Sequence, residues 1–213
     1  AAAAAFPAWR DRPQVERSQM LMHAAATMRS RRDELSGVII RESGKTWREA
    51  DADVCEAIDF CEFYAREAIQ LFEEQRLGEY VGEHNALIHE GRGPCAVIAP
   101  WNFPLAILCG MSVAALVTGN PVLMKPAEQT TGIARILFEI LREAGAPADV
   151  LHFLPGQGET VGVQLVSDPR VALISFTGSK AVGLNIIETA GLTSEAQNQV
   201  KKVVCEMGGK NAI

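Results

Sequence analysis

Apolar residues in the first third of the chain recur at helical intervals. Past Arg12-Pro13 they fall at Val15, Met22, Ala25 and Met28, then at Leu35 and Ile39, a spacing that puts them on one face of a helix. A further stripe, Val54, Ile58, Cys61, Ala65, Ala68 and Phe72, predicts a helix over residues 47–72. Glu49, Asp51 and Asp53 crowd its first turns, where acids complement the positive end of the helix dipole. The ordinary reading of such charges is a solvated helix face. Residues 1–5 are an alanine run of low complexity with no element assigned to them.

Glycine changes the pattern over residues 77–93. Gly78, Gly82, Gly91 and Gly93 separate short segments such as Ala86-Leu87-Ile88-His89, which predicts a strand or hairpin. Beyond it strand and helix alternate. Apolar runs at 95–99, 121–124, 150–154, 171–176 and 200–205 read as strands, and the stretches 104–118, 130–144, 159–166 and 180–190 as helices. The fold class is α/β. A Rossmann-like parallel sheet, buried on both faces by flanking helices, follows an N-terminal helical segment and a short β-hairpin.

Composition narrows the function. Hydrophobic residues at 48% and charged residues at 22% are ordinary globular values. A net charge of −6 speaks against nucleic acid as a partner, because phosphate backbones need clustered Lys and Arg. A small anionic ligand needs only local positive potential. The longest apolar stretch, 103–117, is too short for a bilayer, and no basic region precedes an apolar core at the N-terminus. Neither a transmembrane segment nor a signal peptide is expected. Cys55, Cys61, Cys95, Cys109 and Cys205 form no C-x-x-C pair, and the scattered histidines complete no zinc set, so no metal is expected. Reduced thiols in a cytoplasmic protein are the simplest reading.

Ligands of open parallel sheets bind outside the carboxyl ends of the strands. Segments at such ends here are Ala99-Pro100-Trp101-Asn102-Phe103-Pro104, Met124-Lys125-Pro126-Ala127-Glu128, Phe176-Thr177-Gly178-Ser179 and Glu206-Met207-Gly208-Gly209-Lys210. Each alone has two readings. Gly178-Ser179 offers a pyrophosphate the start of a helix, or is a plain strand-to-helix turn. Its spacing to Gly183 is G-x-x-x-x-G, not the usual G-x-G-x-x-G. Lys125 and Glu128 can hydrogen-bond a ribose, the carboxylate favouring NAD over NADP, or form an exposed ion pair of little value. The Asn102 amide can stabilise a developing oxyanion, or cap the helix that starts near Pro104. Glu206 can act as general base, or be a strand-end carboxylate in water. Cys205 points to the opposite face of its strand and reads as buried core. Ser43-Gly44-Lys45-Thr46 has the ending of a phosphate-binding loop, but Ile39 stands where its first glycine belongs and the segment lies at a helix end. It is rejected as one. The weight lies in the convergence of four such segments on one edge.

With Pro155-Gly156-Gln157-Gly158 added, these motifs in this order resemble the aldehyde dehydrogenase superfamily over essentially the whole chain. Within it the chain is similar to the branch that oxidises L-glutamate γ-semialdehyde in proline catabolism, the 1-pyrroline-5-carboxylate dehydrogenases. The supporting stretches are 49–53 continuing to 57–60 and 64–67, 104–107 continuing to Gly110-Met111, and the long segment 191–202. The resemblance implies that Asn102 is an oxyanion-hole amide and Glu206 the general base. It implies that Lys125 and Glu128 hold the adenosine ribose of NAD, that Ile98, Ala99, Pro100 and Trp101 line the cofactor cleft, and that Gly158, Gly178, Ser179 and Val182 surround adenine and pyrophosphate. A small-molecule aldehyde substrate, a homo-oligomeric parent and an oligomerisation hairpin over 77–95 are implied too. The family's nucleophilic cysteine lies in a later domain, past Glu206. Residues 1–213 are therefore expected to be the N-terminal and NAD-binding region of a longer chain, inactive on their own. The competing readings are another aldehyde dehydrogenase, a CoA-acylating relative, or a nucleotide-binding module without chemistry. Intact Asn102, Lys125, Glu128 and Glu206 speak against the last.

Overall fold

Local signals delimit the N-terminal helices of the computed structural model, which describes residues 1–209. α1 (Ala2–Arg10) takes in the alanine run, to which the sequence reading assigned no element. Alanine is the best helix former, and buried Trp9 anchors the helix by donating its indole N–H to the Leu116 carbonyl at 3.1 Å. α2 (Gln14–Ser30) and α3 (Arg32–Ser43) follow as expected. α4 (Trp47–Leu71) opens with a capping box, in which the Thr46 hydroxyl accepts the Glu49 N–H and the Glu49 carboxylate accepts the Thr46 N–H. Its inward stripe is the expected one, with a correction. Asp53, read as part of a solvated face, is fully buried. It stands one turn before Ala57 and two before Cys61, so helical phase carries it inward with the apolar stripe.

β1 (Gln75–Arg76) and β2 (Ala86–Leu87) pair antiparallel as a hairpin separate from the main sheet. That sheet has five parallel strands, β3 (Cys95–Ile98), β4 (Val122–Lys125), β5 (Leu151–Phe153), β6 (Leu173–Gly178) and β7 (Lys202–Met207), in the spatial order β5-β4-β3-β6-β7. The crossovers carry α5 (Ala106–Val117), α6 (Thr131–Glu143), α7 (Val163–Ser167) and α8 (Lys180–Gly191). The stretch 159–166, expected as one helix, begins as a wide π-type turn at Gly158–Gly162 and only then tightens into α7. The chain winds outward from β3 to β5 and returns to the far side of β3 for β6 and β7. Strand order thus reverses between β3 and β6, and a crevice opens there at the carboxyl ends.

The period of two along a strand divides the core. Cys95 and Val97 of β3 join α1 to α6 in the larger cluster, and Ala96 and Ile98 join α7 and α8 in the smaller one. Burial on both sides is why these strands read as unbroken apolar runs. β7 departs from the expected double burial. Its residues alternate exposed and half-buried, Val204 being 48% exposed, because no described helix covers β7 on the α5 side.

Candidate active site

Four helices start at the carboxyl rim of the sheet, and the groups at the first turns of three of them, α5, α6 and α8, bear directly on what the rim can bind. At the β3 exit, Trp101, Asn102 and Phe103 are exposed while Pro104 and Leu105 are buried. α5 begins just beyond, and its Ala106 N–H is donated to the buried Asp53 carboxylate at 2.7 Å. The capping reading of Asn102 therefore falls away, because Asp53 fills that role from another helix. Among the described residues no protein group hydrogen-bonds the Asn102 amide.

At the β4 exit, Lys125 is the last strand residue and almost fully buried, with its ammonium 2.8 Å from the Glu128 carboxylate. Glu128 itself remains 43% exposed. The Lys125 hydrogen bond, aided by the nearby N–H groups of Glu128 and Gly158, holds its carboxyl below the usual range against the opposing effect of burial. This is not the exposed pair of the bland reading, since one member is buried. A short 3₁₀ turn, Glu128–Thr130, leads into α6. There the Glu42 carboxylate of α3 accepts the Gly132 and Ile133 N–H groups, both at 2.8 Å. A Cβ on Gly132 would come within 2.6 Å of the Glu42 oxygen, so a larger residue there would have to push that carboxylate aside.

The third start, that of α8, is different. The Ser179 hydroxyl accepts the Val182 N–H at a long 3.4 Å, and Gly183 closes on the Ser179 carbonyl. Of the N–H groups that a helix start leaves unpaired, those of Lys180 and Ala181 find no partner among the described residues. The first turns of α5 and α6 are already filled by carboxylates that repel an anion; that of α8 is open.

Glu206 of β7 lies opposite Thr177 of β6 and is exposed on the α5 side of the sheet. Cys205 points the other way, as expected, with its sulfur 3.9 Å from the Gly183 carbonyl. It is half-buried rather than core, and burial raises its thiol above the ordinary value.

These parts meet. An open cleft of about 1060 Å³ is lined by Ile98, Ala99, Pro100, Trp101 and Asn102 from β3, Lys125 and Glu128 from β4, Gly158, then Gly178, Ser179 and Val182 from β6 and α8, and Glu206 from β7. Every residue singled out in the sequence for catalysis or cofactor binding borders it. Lys210 lies outside the described residues. Two cavities adjoin the cleft. One of about 360 Å³ between α7 and α8 has apolar walls that include Ile98, Val163, Val166 and Ile186. The other, about 600 Å³, lies between α4, α5 and the β6–β7 ribbon, lined by Phe60, Tyr64 and Met111 with Glu206 at its edge. Sequence reasoning missed Asp53 and Glu42, which act on distant helices. For Asp53 the phase of the α4 stripe carried a signal; for Glu42 none is visible. Among the described residues no cluster of His, Cys, Asp or Glu is placed to hold a metal ion, and no helix is long and apolar enough to cross a membrane.

A parallel sheet with its cleft at the strand reversal, bearing an exposed amide and a strand-end carboxylate, defines an open α/β architecture with a ligand-sized cleft at its switch point. The chain belongs to the aldehyde dehydrogenase family, whose model matches residues 1–213. It is 46% identical over its whole length to 1-pyrroline-5-carboxylate dehydrogenase 2 of Bacillus subtilis (strain 168), of which it covers 41%. The solved 1-pyrroline-5-carboxylate dehydrogenase from Thermus with bound NAD superposes with a TM-score of 0.94 at 48% identity, over 99% of this chain and 41% of that one. Proline utilization A of Bdellovibrio bacteriovorus superposes with a TM-score of 0.96 at 47% identity, over 98% of this chain and 22% of that one. The chain thus spans about two fifths of the length of the curated relatives it matches.

Proposed function

We propose that the complete protein is an NAD-dependent dehydrogenase that oxidises L-glutamate γ-semialdehyde to glutamate, and that this chain supplies its dinucleotide site, its oxyanion amide and its general base. The observation that carries this reading is the convergence of Asn102, Lys125–Glu128, Ser179 and Glu206 on one cleft at the strand reversal. The residues fit NAD. The carboxylate of Glu128 and the ammonium of Lys125 hold the ribose hydroxyls, the open first turn of α8 with Ser179 faces the pyrophosphate, and the apolar cavity between α7 and α8 suits a flat purine. NAD, when bound, supplies the hydride acceptor.

The chain's own residues do the rest. The exposed amide of Asn102 donates to the aldehyde oxygen as negative charge develops on it during thiol attack. Among the described residues no thiol lines the cleft, so the attacking cysteine is assigned to the part of the relatives' length that this chain does not match. Glu206 takes a proton from the water that releases the acid. The aldehyde enters from the apolar cavity beside Glu206. The β1–β2 hairpin carries exposed Tyr80, Val81 and Ile88, the apolar surface of a subunit contact in a homo-oligomer. The unpaired cysteines fit the reducing cytoplasm.

The test is steady-state NADH formation by the complete protein. Glutamate semialdehyde is expected to be oxidised in preference to simple aliphatic aldehydes, and Asn102→Ala to slow turnover about a hundredfold. Equal rates with unrelated aldehydes would remove the substrate assignment. An unchanged Asn102→Ala rate would remove the oxyanion role.

A further inference from the structure

Asp53 is a carboxylate with no exposure to solvent, set in the apolar stripe of α4. Burying a charge is costly unless it is paired and hydrogen-bonded. Here both requirements are met by groups that lead to the cleft. One oxygen accepts the Ala106 N–H at 2.7 Å, and the other accepts the Lys45 ammonium at 2.9 Å. The same ammonium sits 3.7 Å from the centroid of the Phe103 ring, within cation–π range. Lys45 has little freedom of its own. Gly44 ends α3 in the left-handed region at φ 69°, and Thr46 starts α4 with its capping box, so the link between the helices is pinned at both ends. Lys45 belongs to the rejected phosphate-loop look-alike, and this contact gives that segment a use.

Asn102 lies between the two anchored points. Ile98 is fixed in the sheet, Phe103 and Ala106 are held by Lys45 and Asp53, and Pro100 and Pro104 stiffen the turn between. Among the described residues no protein group holds the Asn102 amide directly, so its placement depends on the backbone that bears it. Resting on the oxyanion role argued above, we propose that Asp53 and Lys45 are positioning residues that aim the Asn102 amide by clamping the start of α5 and the Phe103 ring. A buried carboxylate in this role also closes the α5 start to an anion, as Glu42 closes that of α6.

The test uses the complete enzyme at saturating NAD. Asp53→Asn and Lys45→Met are each expected to lower kcat/KM for the aldehyde about tenfold, the cost of a modest misplacement of a catalytic group. The NAD Kd should move by less than about twofold, since the ribose and pyrophosphate contacts lie on other elements. Lys45→Arg, which keeps the cation, is expected to recover most of the rate. In an Asn102→Ala background, the Asp53 and Lys45 substitutions should add less than about twofold, because groups acting through one another are not additive. Unchanged rates in the single variants would overturn the proposal. So would a full loss persisting on top of Asn102→Ala, or NAD affinity falling in step with rate. If Asp53→Asn does not fold, the less buried Lys45 variants decide the outcome. An Asn102→Ala enzyme of unchanged rate defeats the oxyanion reading itself. One slowed about a hundredfold beside unaffected Asp53 and Lys45 variants defeats the positioning role alone.

Discussion

Single side chains at the cleft owe their chemistry to unequal burial. Lys125 is sequestered while its partner Glu128 faces the opening, so the pair presents a fixed carboxylate backed by a hidden cation. In the proposed ribose site that carboxylate would repel a 2′-phosphate. In the complete enzyme, Glu128→Ala is expected to shift the NADP-to-NAD preference by roughly tenfold toward NADP, the scale of one charge pair near a protein surface; the ratio of the two Kd values measures it. The pH dependence follows the sign of the shift. The folded Glu128 carboxyl lies below the usual range because Lys125 hydrogen-bonds it, so its charge persists as pH falls past the ordinary carboxylate range. NAD affinity should therefore stay flat from neutrality down to about pH 5, and a loss beginning near pH 6.5 would point to a different group. Burial acts in the same direction on the thiols, where no cation opposes it. Cys95 is pushed up to about 12, and Cys109 is raised far above its ordinary value by the neighbouring Cys61 thiol and by burial. Such thiols are structural and inert.

At the level of elements, the helical layer acts on the sheet through helix starts. Asp53 reaches α5 and Glu42 reaches α6, each filling N–H groups that the local sequence leaves open. α8 relies on its own Ser179 at a longer distance. Unequal stability costs should follow. Glu42→Ala is expected to lose about 1–2 kcal/mol, as a cap that accepts from two N–H groups. Ser179→Ala should lose about 0.5 kcal/mol, at the low end for a lost cap. Urea unfolding of the complete protein followed by circular dichroism measures both. Equal losses would show that the α8 start is held as firmly as the α6 start, and would weaken the case for α8 as an open anion site.

For the molecule as a whole, the weakly covered part is the β7 edge, which carries Glu206. It is held at its entrance by Lys201, whose buried ammonium donates to the Val166 and Asp168 carbonyls at 2.7 and 2.6 Å. Burial lowers the Lys201 pKa from its ordinary 10.5, partly offset by Asp168. The folded state then binds fewer protons than the unfolded chain between the lowered value and 10.5, so this group makes stability rise with pH across that window. Lys201→Met is expected to abolish that alkaline rise and to cost about 1–3 kcal/mol by leaving two carbonyls unpaired. Thermal unfolding followed across the alkaline range tests this. A variant that keeps the rise shows that another lysine is responsible.

Periodicity along the sequence determined nearly every element, because helices of period 3.6 and strands buried on both faces leave local marks. It also brought out most of the residues that line the cleft, since strand ends at a sheet reversal are legible as short apolar runs followed by Pro, Gly and polar residues, whereas Ile98, Gly158 and Val182 came only from the family resemblance. What it did not determine depends on contacts between distant segments. The partners of buried Asp53, its choice over Asn102 as the α5 cap and the closure of α6 by Glu42 were decided only when α3 and α4 packed against α5 and α6, and the open face of β7 only by what does not cover it. A charge inside an apolar stripe is stable only if its partners arrive from elsewhere in the chain, and local sequence carries no record of that arrival.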